Sequence, residues 1–317
     1  MKIYVGFAGL GRAQRERVLA SLSGHAVTFG DDLPGNEARQ VAVTAAEVVF
    51  ANVPLAWLAA APQLRWVQLE SAGIDAYLGL NANRSGPPVV LTNLRDFFGV
   101  AVAEAALAGI LAWQRQLPRL LAAQRETRWV KEAVEPQIGR LYGATAVVIG
   151  AGAIGSRIAN LLRAFGCEVK IFARRSPGAT LRTKEELDAA LPGADLVVCT
   201  LPHTTETIGL FDASRLARLK PSALFVNVGR GSTVDEPALV QALESGRLAG
   251  AVLDVTAIEP LPAASLLWRL PNVLLTQHTG GRFPGELDAK VARFLENFAR
   301  FARGEDLPTA VDLSRGY

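Results

Sequence analysis

Three charged residues late in the chain are of types that could bind and protonate a small anionic molecule: Arg230, Glu259 and His278. Each follows a strand-like apolar run, and open α/β sheets bind ligands beyond the carboxyl ends of their strands. An arginine holds a carboxylate through a fork of hydrogen bonds, and a histidine transfers protons near neutral pH. A surface charge, a loop residue or a structural imidazole is also possible for each, so residue type and position alone leave both explanations open.

A glycine-rich segment earlier in the chain has the pattern of a dinucleotide-binding turn. Gly150–Gly155 has the sequence GAGAIG, follows the apolar run Ala146–Ile149 and precedes a helical pattern. The first glycine allows the turn, the second lets a pyrophosphate approach the backbone, and the third lets the helix pack close to the strand. Because a helix start also attracts phosphate, we predict cofactor contacts from Gly150, Gly152, Ala153, Ile154 and Gly155.

The residues after the next strand-like run, Glu168–Phe172, predict which dinucleotide binds. An acidic residue at the end of this strand holds the 2′-hydroxyl of NAD, but this chain has Ala173 there, followed by Arg174, Arg175 and Ser176. Two guanidinium groups and a hydroxyl attract a 2′-phosphate. We therefore expect NADP(H) to be preferred over NAD(H), the alternative being a basic loop that binds no ligand.

The elements that must position these residues alternate as in βαβ units. Apolar runs occur first at Ile3–Val5, Val48–Ala51, Trp66–Leu69 and Val89–Thr92. Six more follow at Ala146–Ile149, Glu168–Phe172, Leu196–Thr200, Leu224–Asn227, Gly250–Val255 and Val273–Thr276. Helical patterns between the runs predict an α/β protein with doubly wound parallel sheets.

Two long helical patterns complete the organisation. One runs from Val100 to about Arg128 and must break or kink at Pro118. The other runs from Gly285 to Gly304, with an apolar side that predicts packing against a core.

The order and spacing of several motifs resemble the D-isomer-specific 2-hydroxyacid dehydrogenases, which include glyoxylate and hydroxypyruvate reductases. The resemblance covers nearly the whole chain. It rests on Ser71–Asp75, Gly150–Gly155, Leu201-Pro202 with Thr204, Glu206 and Thr207, Asn227–Gly231, Asp254–Pro262, Trp268–Val273 and His278.

The resemblance implies a role for each candidate residue. Arg230 would hold the carboxylate of a 2-keto acid, assisted by backbone N–H groups around Ala72 and Gly73. His278 would protonate the carbonyl oxygen as hydride reaches the carbon, and Glu259 would bond the other ring nitrogen. On the cofactor side the resemblance places Leu201, Pro202, Val228 and Asp254, the last against the nicotinamide carboxamide. No metal is expected.

The family resemblance also implies two Rossmann-like domains with the active site in the cleft between them. We expect a substrate-binding domain over 1–98, a dinucleotide-binding domain over 99–286, and a C-terminal helix and tail over 287–317 that return to the first domain. Residues 100–142 resemble the family's dimerisation region, which predicts a homodimer.

Some residues depart from the family pattern or need a separate interpretation. Gln277 stands where the family often has proline, and Ala105 follows Glu104 where it often has histidine; both indicate changed pocket lining or packing. Trp113 and Trp268 are interpreted as core residues, although pocket or dimer contacts are open to them. His203 is interpreted as a loop residue rather than a second acid.

Composition excludes several other classes of function. The 317 residues include 33 Lys and Arg against 30 Asp and Glu, giving a net charge of +3. These charges are scattered, which argues against a nucleic-acid partner. Cys167 and Cys199 are interpreted as buried small hydrophobes of a reducing compartment. With no leader or membrane span recognised, we expect a cytoplasmic protein.

These patterns predict an oxidoreductase that reduces a small 2-keto acid to the D-2-hydroxy acid with NADPH. One alternative is a formate- or phosphite-type dehydrogenase of the same superfamily, although Glu259 stands where the formate enzymes have glutamine. Another is a non-enzymatic nucleotide sensor like the family's corepressors. The sequence leaves open which keto acid is used and in which direction the reaction runs.

Overall fold

The computed structural model describes residues 1–82, 84 and 86–313. The chain divides into two compact units. Unit 1 comprises Met1–Phe97 together with the chain from Phe283 onward, and unit 2 comprises Phe98–Arg282. The chain therefore re-enters unit 1 at Phe283, slightly earlier than the predicted boundary at 287.

The strands are numbered along the whole chain: β1 Lys2–Val5, β2 Ala26–Phe29, β3 Val48–Phe50, β4 Trp66–Gln68, β5 Val90–Thr92, β6 Thr145–Ile149, β7 Glu168–Phe172, β8 Leu196–Cys199, β9 Leu224–Asn227, β10 Gly250–Leu253 and β11 Val273–Leu275. The α-helices are α1 Arg12–Ser21, α2 Gly35–Thr44, α3 Leu55–Ala59, α4 Gly99–Gln114, α5 Leu117–Arg125, α6 Lys131–Val134, α7 Ala153–Ala164, α8 Lys184–Ala190, α9 Ala213–Leu216, α10 Glu236–Glu244 and α11 Glu286–Ala302.

Unit 1 contains a five-stranded parallel sheet in the order β2-β1-β3-β4-β5. Four of its strands coincide with the predicted apolar runs, because a sheet covered on both faces needs continuous apolar strands. Strand β2 was missed. It pairs only with β1 at the sheet edge, and its partly exposed residues include Ala26 and Thr28, so no apolar run marks it.

Helix α11 belongs to unit 1, where its apolar face packs against the sheet. Phe294 stacks on Phe50 with ring centroids 4.2 Å apart and on Trp66 at 5.5 Å. Val291 and Phe298 are buried on the same face. This packing explains why the C-terminal segment belongs to the same unit as the N-terminal residues.

Unit 2 contains a six-stranded parallel sheet in the order β11-β10-β9-β8-β6-β7. All six predicted runs form strands here, some of them one or two residues shorter than predicted. The chain runs outward from β6 to β7 and then crosses back to β8, which places the topological switch point beside β6. Ligands of doubly wound sheets bind at this point, and the glycine-rich segment directly follows β6.

The predicted break in the first long helical pattern is confirmed. Helix α4 ends at Gln114, Gln116 has a left-handed φ of 55°, and α5 begins at Leu117 with Pro118 in its first turn. A proline is tolerated there because first-turn N–H groups have no intrahelical acceptor. Among the helices described, none is both long and apolar enough to span a membrane.

Candidate active site

The glycine-rich turn after β6 has the geometry that its spacing predicts. Gly150 has a φ of 107°, which disfavours other residues, and a Cβ there would lie 2.5 Å from Thr200 Oγ1. A Cβ on Gly155 would lie 2.0 Å from the carbonyl oxygen of Gly150, so helix and strand are in close contact there. A Cβ on Gly152 would meet no atom within 4 Å, so open space lies above this glycine.

The first turn of α7 presents backbone donors next to that open space. Gly152 is the N-cap, and no side chain in the described part of the chain caps the helix. The N–H groups of Ala153, Ile154 and Gly155 belong to this turn, where α-helices have no intrahelical acceptors. A pyrophosphate fits this environment, because the helix dipole and the N–H groups both favour an anion.

Two loops at the same edge of the sheet carry the other predicted cofactor residues. Arg174, Arg175 and Ser176 follow β7, and the guanidinium of Arg174 forms an ion pair with Glu206 in the loop after β8. That second loop begins with Leu201 and Pro202, and the Pro202 carbonyl accepts a hydrogen bond from Thr207 Oγ1 (2.6 Å). Beyond the adjacent β9, the N–H of Val228 bonds the Cys199 carbonyl (3.0 Å).

Arg230 lies in a turn that the buried residue Asn227 organises. Asn227 Oδ1 accepts the N–H of Gly229 (3.1 Å), and its Nδ2 donates to the Arg230 carbonyl (3.0 Å). Arg230 Nη1 donates to the Gly229 carbonyl (2.8 Å). The arginine backbone is therefore fixed by an amide at the end of β9, a role that the sequence analysis did not assign to Asn227.

The glycines on either side of Arg230 are required by close backbone contacts. A Cβ on Gly229 would lie 2.5 Å from the Leu201 carbonyl oxygen, and one on Gly231 would lie 2.0 Å from the Thr256 carbonyl carbon. Arg230 therefore stands between the loop that begins at Leu201 and the loop that carries Glu259.

His278 and Glu259 are paired. His278 Nδ1 lies 2.6 Å from Glu259 Oε2, and an ionised carboxylate can only accept, so Nδ1 donates. The other carboxylate oxygen, Oε1, accepts the N–H of Thr256 (3.0 Å). The structure thus brings these two predicted residues together and leaves Nε2 as the ring nitrogen that Glu259 does not engage.

The backbone of the His278 loop adopts an unusual conformation that Asp254 supports. Gln277 and His278 have left-handed φ values of 53° and 56°, which are costly for residues other than glycine. Asp254 Oδ1 accepts the Thr276 hydroxyl (2.6 Å) and the N–H of Thr279 (3.0 Å), and the Asp254 carbonyl accepts the N–H of His278 (2.6 Å). These bonds compensate for the strain.

Asp254 therefore has a structural role that the sequence analysis missed. Its side chain is buried, and its carboxylate also accepts the N–H of Gly280 (3.2 Å). The sequence signal was present in the hydroxyl and small residues Thr276, Thr279 and Gly280 around His278. The contact between Asp254 and the nicotinamide carboxamide stays a prediction.

A cavity of about 390 Å³ opens beside the His278–Glu259 pair. Its lining combines these two side chains with apolar ones, including Leu253, Pro260, Leu261, Trp268 and Leu275. Trp268 is 43% exposed, so its interpretation as a core residue is wrong. Its indole N–H donates to the Pro262 carbonyl (3.1 Å), which orients the ring as a cavity wall. Gln277 also lines the cavity.

Trp113 was interpreted as a core residue and His203 as a loop residue. Trp113 packs against the core of unit 2, where a Cβ on Gly250 would lie 2.2 Å from its ring. His203 lies in the loop after β8, and its Nδ1 is hydrogen-bonded to Ser232 Oγ (2.7 Å) in the segment after β9. Its position matches the interpretation of a loop residue.

The predicted second carboxylate contact lies in unit 1, in the turn after β4. The Ala72 carbonyl accepts Asn93 Nδ2 (2.7 Å), and the Gly73 carbonyl accepts Ser71 Oγ (2.8 Å). Within the described chain, the N–H groups of Ala72 and Gly73 donate no hydrogen bond. The turn is thus held through its carbonyl groups and leaves two adjacent donors for a ligand.

Comparison with known proteins supports the family relation. The family model for the "D-isomer specific 2-hydroxyacid dehydrogenase, NAD binding domain" matches residues 107–280. Glyoxylate/hydroxypyruvate reductase A of Escherichia fergusonii is 34% identical over 256 residues, which cover 78% of this chain and 80% of that protein.

Two solved structures share the fold over nearly the full length. A D-isomer-specific 2-hydroxyacid dehydrogenase from Xanthobacter autotrophicus in complex with NADPH and MES is 31% identical, with a TM-score of 0.79 over 100% of this chain and 99% of that one. An NADPH-dependent glyoxylate/hydroxypyruvate reductase from Sinorhizobium meliloti, in complex with NADP and sulfate, is 26% identical, with a TM-score of 0.83 over 100% of both chains. The chain belongs to the D-isomer-specific 2-hydroxyacid dehydrogenase family.

Proposed function

We propose that the protein reduces a small 2-keto acid, such as glyoxylate or hydroxypyruvate, to the D-2-hydroxy acid and prefers NADPH over NADH. The observation that carries this proposal is the 2.6 Å pairing of His278 with Glu259 on the strand edge that also bears Arg230 and the glycine-rich turn. The similarity to a glyoxylate/hydroxypyruvate reductase and to two NADP(H)-bound structures supports it.

The cofactor would be held by the residues that fit it. Gly150, Gly152, Ala153, Ile154 and Gly155 would surround the pyrophosphate, and Arg174, Arg175 and Ser176 would bind the 2′-phosphate. Leu201, Pro202, Val228 and Asp254 would line the rest of the cofactor site. The bound dinucleotide supplies the hydride.

The chain's own side chains manage the substrate's charge and proton. Arg230 binds the carboxylate through its guanidinium fork, and the N–H groups of Ala72 and Gly73 add a second contact. His278 donates the proton on Nε2 to the carbonyl oxygen, which becomes the hydroxyl of the product. Glu259 fixes the imidazole through Nδ1, so that Nε2 is the nitrogen presented to the substrate.

The test is NADPH oxidation with a panel of glyoxylate, hydroxypyruvate, pyruvate and phenylpyruvate. We expect turnover with glyoxylate or hydroxypyruvate and formation of the D enantiomer from hydroxypyruvate. Tight NADPH binding without turnover on any member of the panel would instead identify a nucleotide-sensing protein.

We also propose a homodimer formed through residues 100–142. Six large apolar side chains of this segment are exposed: Val100, Leu117, Leu121, Trp129, Ile138 and Tyr142. Trp129 is 86% exposed, which is unusual for an indole on a monomer surface. A group of exposed apolar residues of this kind indicates a surface that a second protein covers.

A further inference from the structure

The ion pair between Arg174 and Glu206 places a carboxylate at the basic loop after β7. Both side chains are about half exposed, and the pair joins the loops that follow β7 and β8. The loop of Glu206 is well fixed, because Thr207 Oγ1 accepts the N–H of Thr204 (2.9 Å) and donates to the Pro202 carbonyl (2.6 Å). Glu206 is therefore held near Arg174 by its own loop.

Glu206 is attracted by more than one cation. The hydrogen bond from Arg174 lowers the pKa of the Glu206 carboxyl, and the charges of Arg174, Arg175 and Lys184 lower it further. The carboxylate thus remains ionised at neutral pH. The basic loop Arg174–Ser176, which we expect to bind a phosphate, is therefore already paired with the Glu206 carboxylate.

The Glu206 carboxylate and a 2′-phosphate would compete for the guanidinium group of Arg174. A 2′-phosphate carries close to two negative charges, and like charges a few ångströms apart repel even in water. An exposed ion pair is weak, so a phosphate can displace the carboxylate, but the displacement reduces the affinity that Arg174 would otherwise provide.

We infer that Glu206 occupies the anion position of Arg174 until a 2′-phosphate displaces it, so that Glu206 weakens NADPH binding and limits the discrimination against NADH. This inference rests on the proposed preference for NADPH. It makes Glu206 a specificity-determining residue of the cofactor site, one that acts against the preferred cofactor and speeds its release. A residue that merely positioned Arg174 would have the opposite effect on affinity.

The test measures binding of two cofactor fragments, adenosine 2′,5′-bisphosphate and adenosine 5′-monophosphate, by titration calorimetry at low ionic strength. The two fragments differ only in the 2′-phosphate. We expect Glu206→Gln to bind adenosine 2′,5′-bisphosphate roughly 3- to 10-fold more tightly than the wild type, with the affinity for adenosine 5′-monophosphate within about 2-fold. The same substitution should increase the affinity for NADPH and leave the affinity for NADH nearly unchanged.

The matched control is Glu305→Gln, which breaks a similarly exposed pair with Arg303 in unit 1 and should change neither affinity. Adding Arg174→Ala to Glu206→Gln should abolish most of the gain. Unchanged or weaker binding of adenosine 2′,5′-bisphosphate by folded Glu206→Gln would overturn the inference. A wild type that binds both fragments equally would instead contradict the proposed NADPH preference, whereas the change on Glu206→Gln would still decide the role of Glu206.

Discussion

At the scale of single residues, the turn of Arg230 and the loop of His278 are each held by a buried polar side chain. Asn227 bonds both Gly229 and the Arg230 carbonyl, and Asp254 bonds the residues around His278. The groups that face the substrate in the proposed reaction are thus fixed by residues behind them. Substitutions of the groups that face the substrate and substitutions of the residues behind them should therefore change kcat, KM and stability in different ways.

Replacement of Arg230 by lysine tests the fork of hydrogen bonds. Lysine keeps the charge but not the planar pair of donors, so Arg230→Lys should raise KM for the keto acid at least about 10-fold and also lower kcat. Steady-state kinetics at saturating NADPH measure both. The exposed Arg17→Lys in α1 is the control and should match the wild type. Full activity of Arg230→Lys would show that Arg230 acts only as a distant charge.

The support of the His278 loop is tested with Asp254→Ala. Alanine lacks the oxygen that accepts the Thr276 hydroxyl and the N–H groups of Thr279 and Gly280, so the strained loop loses its compensation. We expect a loss of about 1–3 kcal/mol in the free energy of unfolding, measured by urea titration, together with a clear decrease in kcat. If stability is unchanged and only the KM for NADPH rises, Asp254 acts through the cofactor alone.

At the scale of elements, the unit 2 sheet gathers loops from six strands at one edge. Each strand from β6 to β11 is followed by a segment that carries a candidate residue, because parallel strands end on the same side. Two glycines of the turn after β6 have different surroundings: Gly152 faces open space, whereas Gly155 lies against the backbone of Gly150.

This difference predicts that alanine at Gly152 changes cofactor affinity, whereas alanine at Gly155 changes stability. Gly152→Ala should leave the stability unchanged within about 0.5 kcal/mol but weaken NADPH binding at least about 10-fold, since the methyl group enters the space of the pyrophosphate. Gly155→Ala should destabilise the fold because its Cβ meets the Gly150 carbonyl. Fluorescence titration and urea unfolding separate the two, and normal NADPH affinity in Gly152→Ala would exclude the turn as the pyrophosphate site.

Much of the element pattern is predictable from the sequence, for a physical reason. Parallel strands covered on both faces need apolar side chains throughout, so ten runs could be recognised, whereas the edge strand β2 has no such run. The His278–Glu259 pair was predictable only as a resemblance, because its 19-residue separation in the chain has no periodicity. The Asp254 contacts, the exposure of Trp268 and the Arg174–Glu206 pair depend on loop conformations that spacing does not determine.

At the scale of the whole molecule, the exposed apolar side chains of residues 100–142 predict association. The wild type should have twice the 33.7 kDa mass of the chain in light scattering after size-exclusion chromatography. Leu121→Glu, on an exposed face of α5, should shift the mass toward one chain, because a charge in a buried apolar interface is unfavourable. The control Leu19→Glu replaces a similarly exposed leucine of α1 and should remain dimeric. A wild type with the mass of one chain would contradict the proposed dimer.

The central claim is that His278 transfers the substrate proton, and the most direct test compares wild-type and His278→Gln turnover with NADPH and the best keto acid of the panel. Without a proton donor at this position, kcat should fall by roughly 100-fold or more, while the NADPH dissociation constant stays within about 2-fold. Circular dichroism checks that the variant is folded. A folded His278→Gln enzyme with wild-type kcat would contradict the claim.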